Sequence, residues 1–408
     1  MAEPKVRFKK DDGSNYPAWG KYSISDLFTK VGTKNKNCEN SNVITNSAEY
    51  GLIPQRDYFD KDIAVEGKTD NYTIIQLGDF VYNPRKSSYA PMGPFNCYRI
   101  EEDGIVSPLY SCLRPKGILN PEYLLWYFQT DKWYGYVNDH GAQNGARHDR
   151  VGMTDKILMG IPVTAPCAEE QQKIADFLSS VDEVITAGEE ELANLETQKK
   201  AVMKKIFSQE VRFRKTDGSE FPKWTDVRFG DVFSEIVRRT SDTESYPLYS
   251  LTIENGVTPK TERYERSFLV KKAEDNYKIV PPKAFVYNPM NLRFGALAPS
   301  HEDKAVCVSQ YYNVFSLNDE STLGFWENYL VTDEMLQFYF SIATGSLIEK
   351  LRVHYSNFVN IVKPIPCIEE QRVISDFFFD FDEAIAAAKE ELEKWKLLKK
   401  GLLQQMFV

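Results

Sequence analysis

One unit is written twice in this chain, and that duplication constrains the fold more than any other feature. VRFKKDDGSNYPAW begins at Val6 and VRFRKTDGSEFPKW at Val211; Phe80-Val81-Tyr82-Asn83-Pro84 returns as Phe285-Val286-Tyr287-Asn288-Pro289, both at an offset of 205. Pro166-Cys167-Ala168-Glu169-Glu170-Gln171 returns as Pro366-Cys367-Ile368-Glu369-Glu370-Gln371, at an offset of 200. Between these anchors the copies diverge, with weak echoes such as GIVSPLY (104–110) against AVCVSQYY (305–312). A repeat of this length sets the architecture before any local reading does. The pattern is a fixed frame carrying two variable inserts.

After each Pro-Cys the periodicity becomes that of a long helix. Ile174, Leu178, Val181, Ile185, Gly188, Leu192, Leu195, Lys199, Val202 and Ile206 alternate at spacings of 4 and 3. Ile374, Phe378, Phe381, Ile385, Ala388, Leu392, Trp395, Lys399, Leu402 and Met406 keep the same register. An a/d seam sustained over four heptads predicts a coiled-coil pair. At about 1.5 Å per residue the pair forms a rod of ~60 Å. Glu169, Glu170, Glu369 and Glu370 suit the positive helix start, and Lys204, Lys205, Lys399 and Lys400 the negative end. Gly188 and Ala388 permit close approach; Lys199 and Lys399 interrupt the seam, where leucine is expected to raise stability. The internal repeat favours an intrachain pair over a dimerisation helix. The second copy ends at Met406-Phe407-Val408, where the first runs on through Ser208 into QEVRFRK. The N-terminal EPKVRFKK supplies that continuation, which predicts a closed, pseudo-symmetric monomer rather than a simple tandem array.

The inserts read as compact α+β domains. FVY and SPLYSCL in the first copy, and FVY and QYYNVFSL in the second, read as strands. PEYLLWYFQTDKW, with Asn120 as cap and Pro121 at the first helical position, reads as a helix, with TDEMLQFYFSIATG as its counterpart.

Composition bounds the function. The 408 residues carry a net charge of −9, which opposes nonspecific nucleic-acid binding by the chain as a whole. Residues 168–208 carry −4 and 368–408 carry −3, so the remainder is near neutral and any DNA-binding surface is local. No apolar leader and no stretch of membrane-spanning length is present, and the six cysteines lack C-x-x-C spacing, which suits reduced thiols in the cytoplasm. Cys167 and Cys367 are expected to be small buried groups.

FVYNP brings to mind the Asn-Pro-Pro-aromatic turn of adenine methyltransferases, but both copies lack the second proline and the aromatic. No P-loop, nucleotide-binding glycine fingerprint, nuclease cluster or metal-spaced histidine set accompanies it. FVYNP reads as a buried strand entering an Asn-Pro turn. No catalytic residue and no metal ligand is expected. The loops after it differ between copies and are rich in groups that read base edges or hold phosphates. Arg85, Lys86, Ser87 and Tyr89 stand opposite Asn291 and Arg293. Asn144, Arg147, His148 and Arg150 stand opposite Arg352, His354 and Tyr355, and Arg238 with Arg239 forms a further basic pair.

The order and duplication of Ile161-Pro162 through Pro166-Cys167-Ala168-Glu169-Glu170-Gln171, with Ile365-Pro366 through Gln371, resembles the specificity subunit of type I restriction–modification enzymes. Trp19…Asp26-Leu27-Phe28, Trp224…Asp231-Val232-Phe233 and the SPLY at 107–110 extend the resemblance over nearly the whole chain. It implies an α+β protein of two target-recognition domains joined by a long antiparallel two-helix coiled coil with pseudo-two-fold symmetry. The expected divisions are 1–19 (completing the C-terminal frame), 20–165, 166–208, 209–224, 225–365 and 366–408. It further implies a non-catalytic subunit reading a bipartite, asymmetric double-stranded DNA target, with the gap set by the rod. Two methyltransferase subunits using S-adenosylmethionine, and two motor-nuclease subunits using ATP and Mg, would act at that target; this chain itself would hold no cofactor. The rival reading is a coiled-coil adaptor with two protein-interaction inserts.

Overall fold

A computed structural model describes residues 3–58, 68–140, 149–260, 276–347 and 350–408. Two helices dominate it: a central helix, Ala168–Phe207, and a C-terminal helix, Ile368–Met406. The chain divides into two compact units, Met1–Glu189 with Glu390–Val408, and Glu190–Lys389. The division falls inside both long helices rather than at their ends.

Within the first unit, the early part of the central helix lies against the last turns of the C-terminal helix. Lys396 pairs with Glu189 at 2.8 Å, Lys399 reaches Asp182, and a Cβ on Gly188 would touch Leu392. Within the second unit, Lys389 pairs with Glu196 at 2.9 Å and Lys199 with Asp382 at 2.6 Å. In each unit the partner number falls as the helix number rises, so the local pairing is antiparallel. Ile174, Leu178, Val181, Ile185, Ile374, Phe378, Ile385 and Leu392 are buried; Leu192, Leu195, Phe381 and Trp395 are half-buried. Lys199 and Lys399 differ from the expectation of plain interruptions. Each reaches a carboxylate on the facing helix, and Lys399 also lies 4.9 Å over the Trp126 ring. Leucine at either site would lose a register-setting pair, which offsets much of its apolar gain.

The repeated motifs meet at one junction per unit. Val6 donates its N–H to the Gln405 carbonyl at 3.1 Å, as Val211 does to Lys205. Arg7 forks onto Glu170 at 2.9 and 3.0 Å, and Arg212 onto Glu370 at 3.1 and 2.7 Å. Both glutamates are essentially fully buried, so the guanidinium supplies the charge and hydrogen bonds that burial would otherwise deny them. Phe8 packs on Phe177 and Phe213 on Phe377, with centroids 5.7 and 5.3 Å apart. Gln171 and Gln371 close each junction by donating to the Pro166 and Pro366 carbonyls at 2.8 Å.

Both inserts have one topology despite their divergence. Gly20–Ser23 pairs antiparallel with Pro162–Ala165, and Thr225–Arg228 with Val362–Ile365. A four-stranded antiparallel sheet follows, ordered Phe28–Lys30, Ser111–Pro115, Phe80–Tyr82, Phe95–Cys97 in the first unit. The second unit orders Phe233–Glu235, Asn313–Leu317, Phe285–Tyr287, Leu297–Pro299 in the same way. SPLY and QYY precede their strands as turns rather than joining them.

FVY is needed twice because its sheet is covered on both faces. Phe80 and Tyr82 enter the aromatic core beside the helices, while Val81 enters a second cluster with Ile44, Ile75 and Val106. Phe285, Tyr287 and Val286 divide in the same way. Each such side chain contributes roughly 1.5–3 kcal/mol by burial.

One expected equivalence is corrected. Asn120 does cap Pro121–Phe128, accepting from the Glu122 and Tyr123 N–H groups. Its counterpart is Leu323–Tyr329, not Asp333–Ile342. Tyr123 and Tyr127 pack on Phe407, whereas Phe325 and Tyr329 pack on Phe207, the matching helix end. LGFWENY has no proline or asparagine start signal, which hid it.

All six cysteines are free thiols. Burial pushes Cys97 and Cys307 up to about 11 and Cys112 up to about 12, so these three stay protonated as small apolar groups.

Removing the guanidinium of Arg212 leaves Glu370 buried without its charge partner. Arg212→Ala is expected to destabilise the chain by about 3 kcal/mol in denaturant unfolding. The double variant Arg212→Ala/Glu370→Gln should recover part of that loss; no recovery would show that the pair is not what the junction depends on.

Candidate nucleic-acid interface

The Asn-Pro turn after each FVY strand is built by the asparagine. Asn83 Oδ1 accepts from the Arg85 N–H at 3.0 Å, and Asn288 Oδ1 from the Met290 N–H at 3.1 Å. The proline carbonyl then takes a partner distant in sequence: Val151 donates to Pro84 at 2.8 Å and Val353 to Pro289 at 2.9 Å. In each unit this one bond brings together the two candidate loops that lie far apart in sequence.

In the first unit, Arg85 bridges Arg150, and the Lys86 N–H donates to the Asp149 carbonyl at 2.9 Å. Arg85, Lys86, Ser87 and Tyr89 are exposed and Arg150 is half-buried. Ser87 closes the loop by exchanging hydrogen bonds with Ala90 at 3.0 and 3.1 Å. Asn144, Arg147 and His148 lie outside the described residues.

Arg85, Lys86, Ser87 and Tyr89 line a cleft of about 400 Å³ together with Asn46, Ser47, Glu49, Tyr58, Asn83 and Tyr110. Its floor is an amide network. Asn46 donates to the Val81 carbonyl at 2.7 Å, Asn96 donates to Asn46 Oδ1 at 2.7 Å, and Asn83 donates to the Asn46 carbonyl at 3.1 Å. Sequence reasoning missed this floor. Its only signal is the amide within ITNSAEYG, indistinguishable there from an ordinary turn residue. Gly93, at φ +83°, lets the returning strand pass so close to the Asn83 carbonyl that any Cβ would collide with it.

The second unit presents a different set on the same scaffold. Asn291 is exposed, and its carbonyl accepts from Phe294 and Ala296 at 2.9 and 3.1 Å. The Arg293 guanidinium stacks over Phe294 at 4.6 Å and Phe340 at 5.7 Å, both rings being exposed. Arg352 is exposed beside the turn and exchanges two 3.0 Å backbone bonds with Thr344; His354 is exposed at the start of a short helix. Tyr355 is placed differently from a DNA contact. It is half-buried, packs on Phe315 and Phe358, and burial pushes its hydroxyl up to about 12. Arg238 and Arg239 are exposed on a three-stranded sheet rather than at the Asn-Pro turn.

Among the described residues there is no cluster of three metal-ligating side chains, and no helix is long and apolar enough to cross a membrane. Each insert presents basic and amide groups on or beside its hydrogen-bonded Asn-Pro turn.

Asn46→Ala removes the buried bonds its side chain makes to the Val81 carbonyl and accepts from the Asn96 amide, and is expected to cost about 2 kcal/mol in thermal unfolding. Gly93→Ala should cost at least as much, since both its φ and its contact with the backbone are violated. Stability unchanged in both would show that the cleft floor does not hold the loop.

The comparisons agree with this geometry. The family model for the type I restriction modification DNA specificity domain matches residues 17–197 and again 222–395. The MjaVIII type I restriction enzyme specificity subunit of Methanocaldococcus jannaschii is 24% identical over 327 residues, covering 74% of this chain and 72% of that protein. The candidate specificity subunit of the MjaX type I restriction enzyme of the same organism is 24% identical over 320 residues, covering 71% and 68%. A crystal structure of a type I restriction–modification S subunit from M. genitalium shares the fold at a TM-score of 0.55 and 13% identity, covering 100% of this chain and 99% of that one. A chain from a study of assembly and conformational transition in the type I R-M system gives a TM-score of 0.55 at 14% identity, covering 96% and 98%. Carrying two copies of that domain on its two inserts, the chain belongs to the type I restriction–modification DNA specificity family.

Proposed function

We propose that this chain is the sequence-reading subunit of a type I restriction–modification complex, with each insert reading one half of a bipartite, asymmetric duplex DNA target. One observation carries the reading: both inserts hold the Asn-Pro turn by the same proline-carbonyl bond, yet present different side chains there. Arg85, Lys86, Ser87 and Tyr89 in one insert, and Asn291 and Arg352 in the other, are different donor sets for different base edges. The net charge of −9 lends weak support to a protein-binding adaptor, but an adaptor has no need of basic loops at equivalent places in both inserts.

In this reading the long helices set the unread gap between half-sites. Two methyltransferase subunits carry S-adenosylmethionine and flip the target adenines, and two motor-nuclease subunits carry ATP and Mg. The assembly works in the cytoplasm. The chain itself supplies address rather than chemistry.

Mapping N6-methyladenine across the genome of cells expressing this chain with its methyltransferase, against cells lacking it, is expected to reveal one interrupted motif. Replacing residues 225–365 with the insert of a related specificity subunit should change one half of that motif and leave the other intact. A motif changed in both halves, or no motif despite a stable complex, would overturn the reading.

A further inference from the structure

A second pair of matched positions lies on the small sheets of the two inserts. In the first unit Ile74 donates to the Thr33 carbonyl at 2.8 Å, and Lys34 bridges Thr73. In the second, Ile279 donates to the Arg238 carbonyl at 3.0 Å, and Arg239 pairs with Lys278. Lys34 thus occupies the place of Arg239, and Thr73 that of Lys278. The inserts have diverged around these strands, yet both keep a cation at this position.

The neighbours make the cation unusual. Directly opposed residues in an antiparallel pair project from the same face, so Arg239 and Lys278 set two like charges side by side, a destabilising arrangement. Lys278 is only 7% exposed, and burial, together with Arg239, holds its ammonium below the ordinary lysine value, while Glu235 acts in the opposite sense. Lys34 donates to the Thr73 hydroxyl at 3.0 Å. Among the described residues no carboxylate forms an ion pair with Lys34, Arg238, Arg239 or Lys278. An exposed cation beside a buried one, with no carboxylate in ion-pair contact among the described residues, is a site suited to an anion.

We infer that this position is a backbone-phosphate contact for duplex DNA in each insert, made in the second by the exposed Arg239 with the buried Lys278 adding its charge beneath, and in the first by the exposed Lys34, which the Thr73 hydroxyl positions. The inference rests on the DNA-reading function proposed above and assigns it a second kind of contact. Exposed cations outside any ion pair match phosphate oxygens and carry no base code, whereas the Asn-Pro turns differ from insert to insert as base readers should. A position shared by both inserts is what a sequence-independent contact requires.

The test uses the full chain in complex with its methyltransferase, a random-sequence duplex as probe, and KCl varied between about 50 and 200 mM. Lys34→Gln, Arg239→Gln and Lys278→Met should each lower the slope of log affinity against log salt by about 0.9 and weaken binding roughly five- to tenfold at about 0.1 M. The methylated motif in cells should stay the same. Lys278→Met should also raise the melting temperature, because it removes a buried cation from beside Arg239; a purely structural lysine would lower it. Unchanged slopes, while the wild-type complex still retains the duplex, overturn this inference alone. So do a changed motif, which would mean base reading, and loss of methyltransferase association in place of DNA, which would mean a protein contact. A wild-type complex that retains no duplex at any salt overturns this inference and the proposed function together.

Discussion

The repeated V-R-F and P-C-x-E-E-Q motifs converge on a buried arginine–glutamate fork. Glu170 and Glu370 begin the long helices from inside the protein, where a lone carboxylate would be several kcal/mol out of place. Arg7 and Arg212 make that burial possible, and in doing so they pin an extended V-R-F segment across the start of one helix and beside the end of the other. The remaining shared residues follow from this geometry. The phenylalanine packs on the helix face, the glutamine caps the proline carbonyl, and the valine N–H continues the backbone ladder of the helix that has just ended. The chain begins and ends at one such junction, with Val6 meeting Gln405 as Val211 meets Lys205.

The inserts show how one scaffold tolerates two surfaces. Their sheets are sandwiched, so the central strand must be apolar on both faces, and FVY satisfies this in both copies. The asparagine then turns the chain and the proline carbonyl holds a segment from far along the sequence. From that point several side chains, Arg85 to Tyr89 in one copy and Met290 and Asn291 in the other, are exposed and under no core demand. Arg85 and Lys86 can stand in one copy where Met290 and Asn291 stand in the other without touching stability. A recognition protein needs that separation of duties, because a change of target then costs the fold nothing.

Much of this was legible from residue order. The repeat, the two long helices, the seam and the role of FVYNP follow from spacing and from offset alone. The helix equivalence was not, because Leu323–Tyr329 lacks the asparagine–proline start that marks Pro121–Phe128, and a stronger local pattern ten residues on drew the assignment away. Tyr355 read as a polar contact because a tyrosine beside basic residues looks exposed; the aromatic cluster of Phe315 and Phe358 claims it instead.

The sequence by itself determined the frame: helix periodicity, the duplicated junction residues and the buried strand are local or translational patterns, and such patterns survive in one dimension. Tertiary structure alone decided the site. The bonds from Val151 to Pro84 and from Val353 to Pro289 join segments some sixty residues apart, the Asn46–Asn96 network forms the floor of the cleft, and Lys278 becomes buried opposite Arg239. Each is a long-range pairing set by sheet register, and register depends on the whole of a core rather than on any short run of residues.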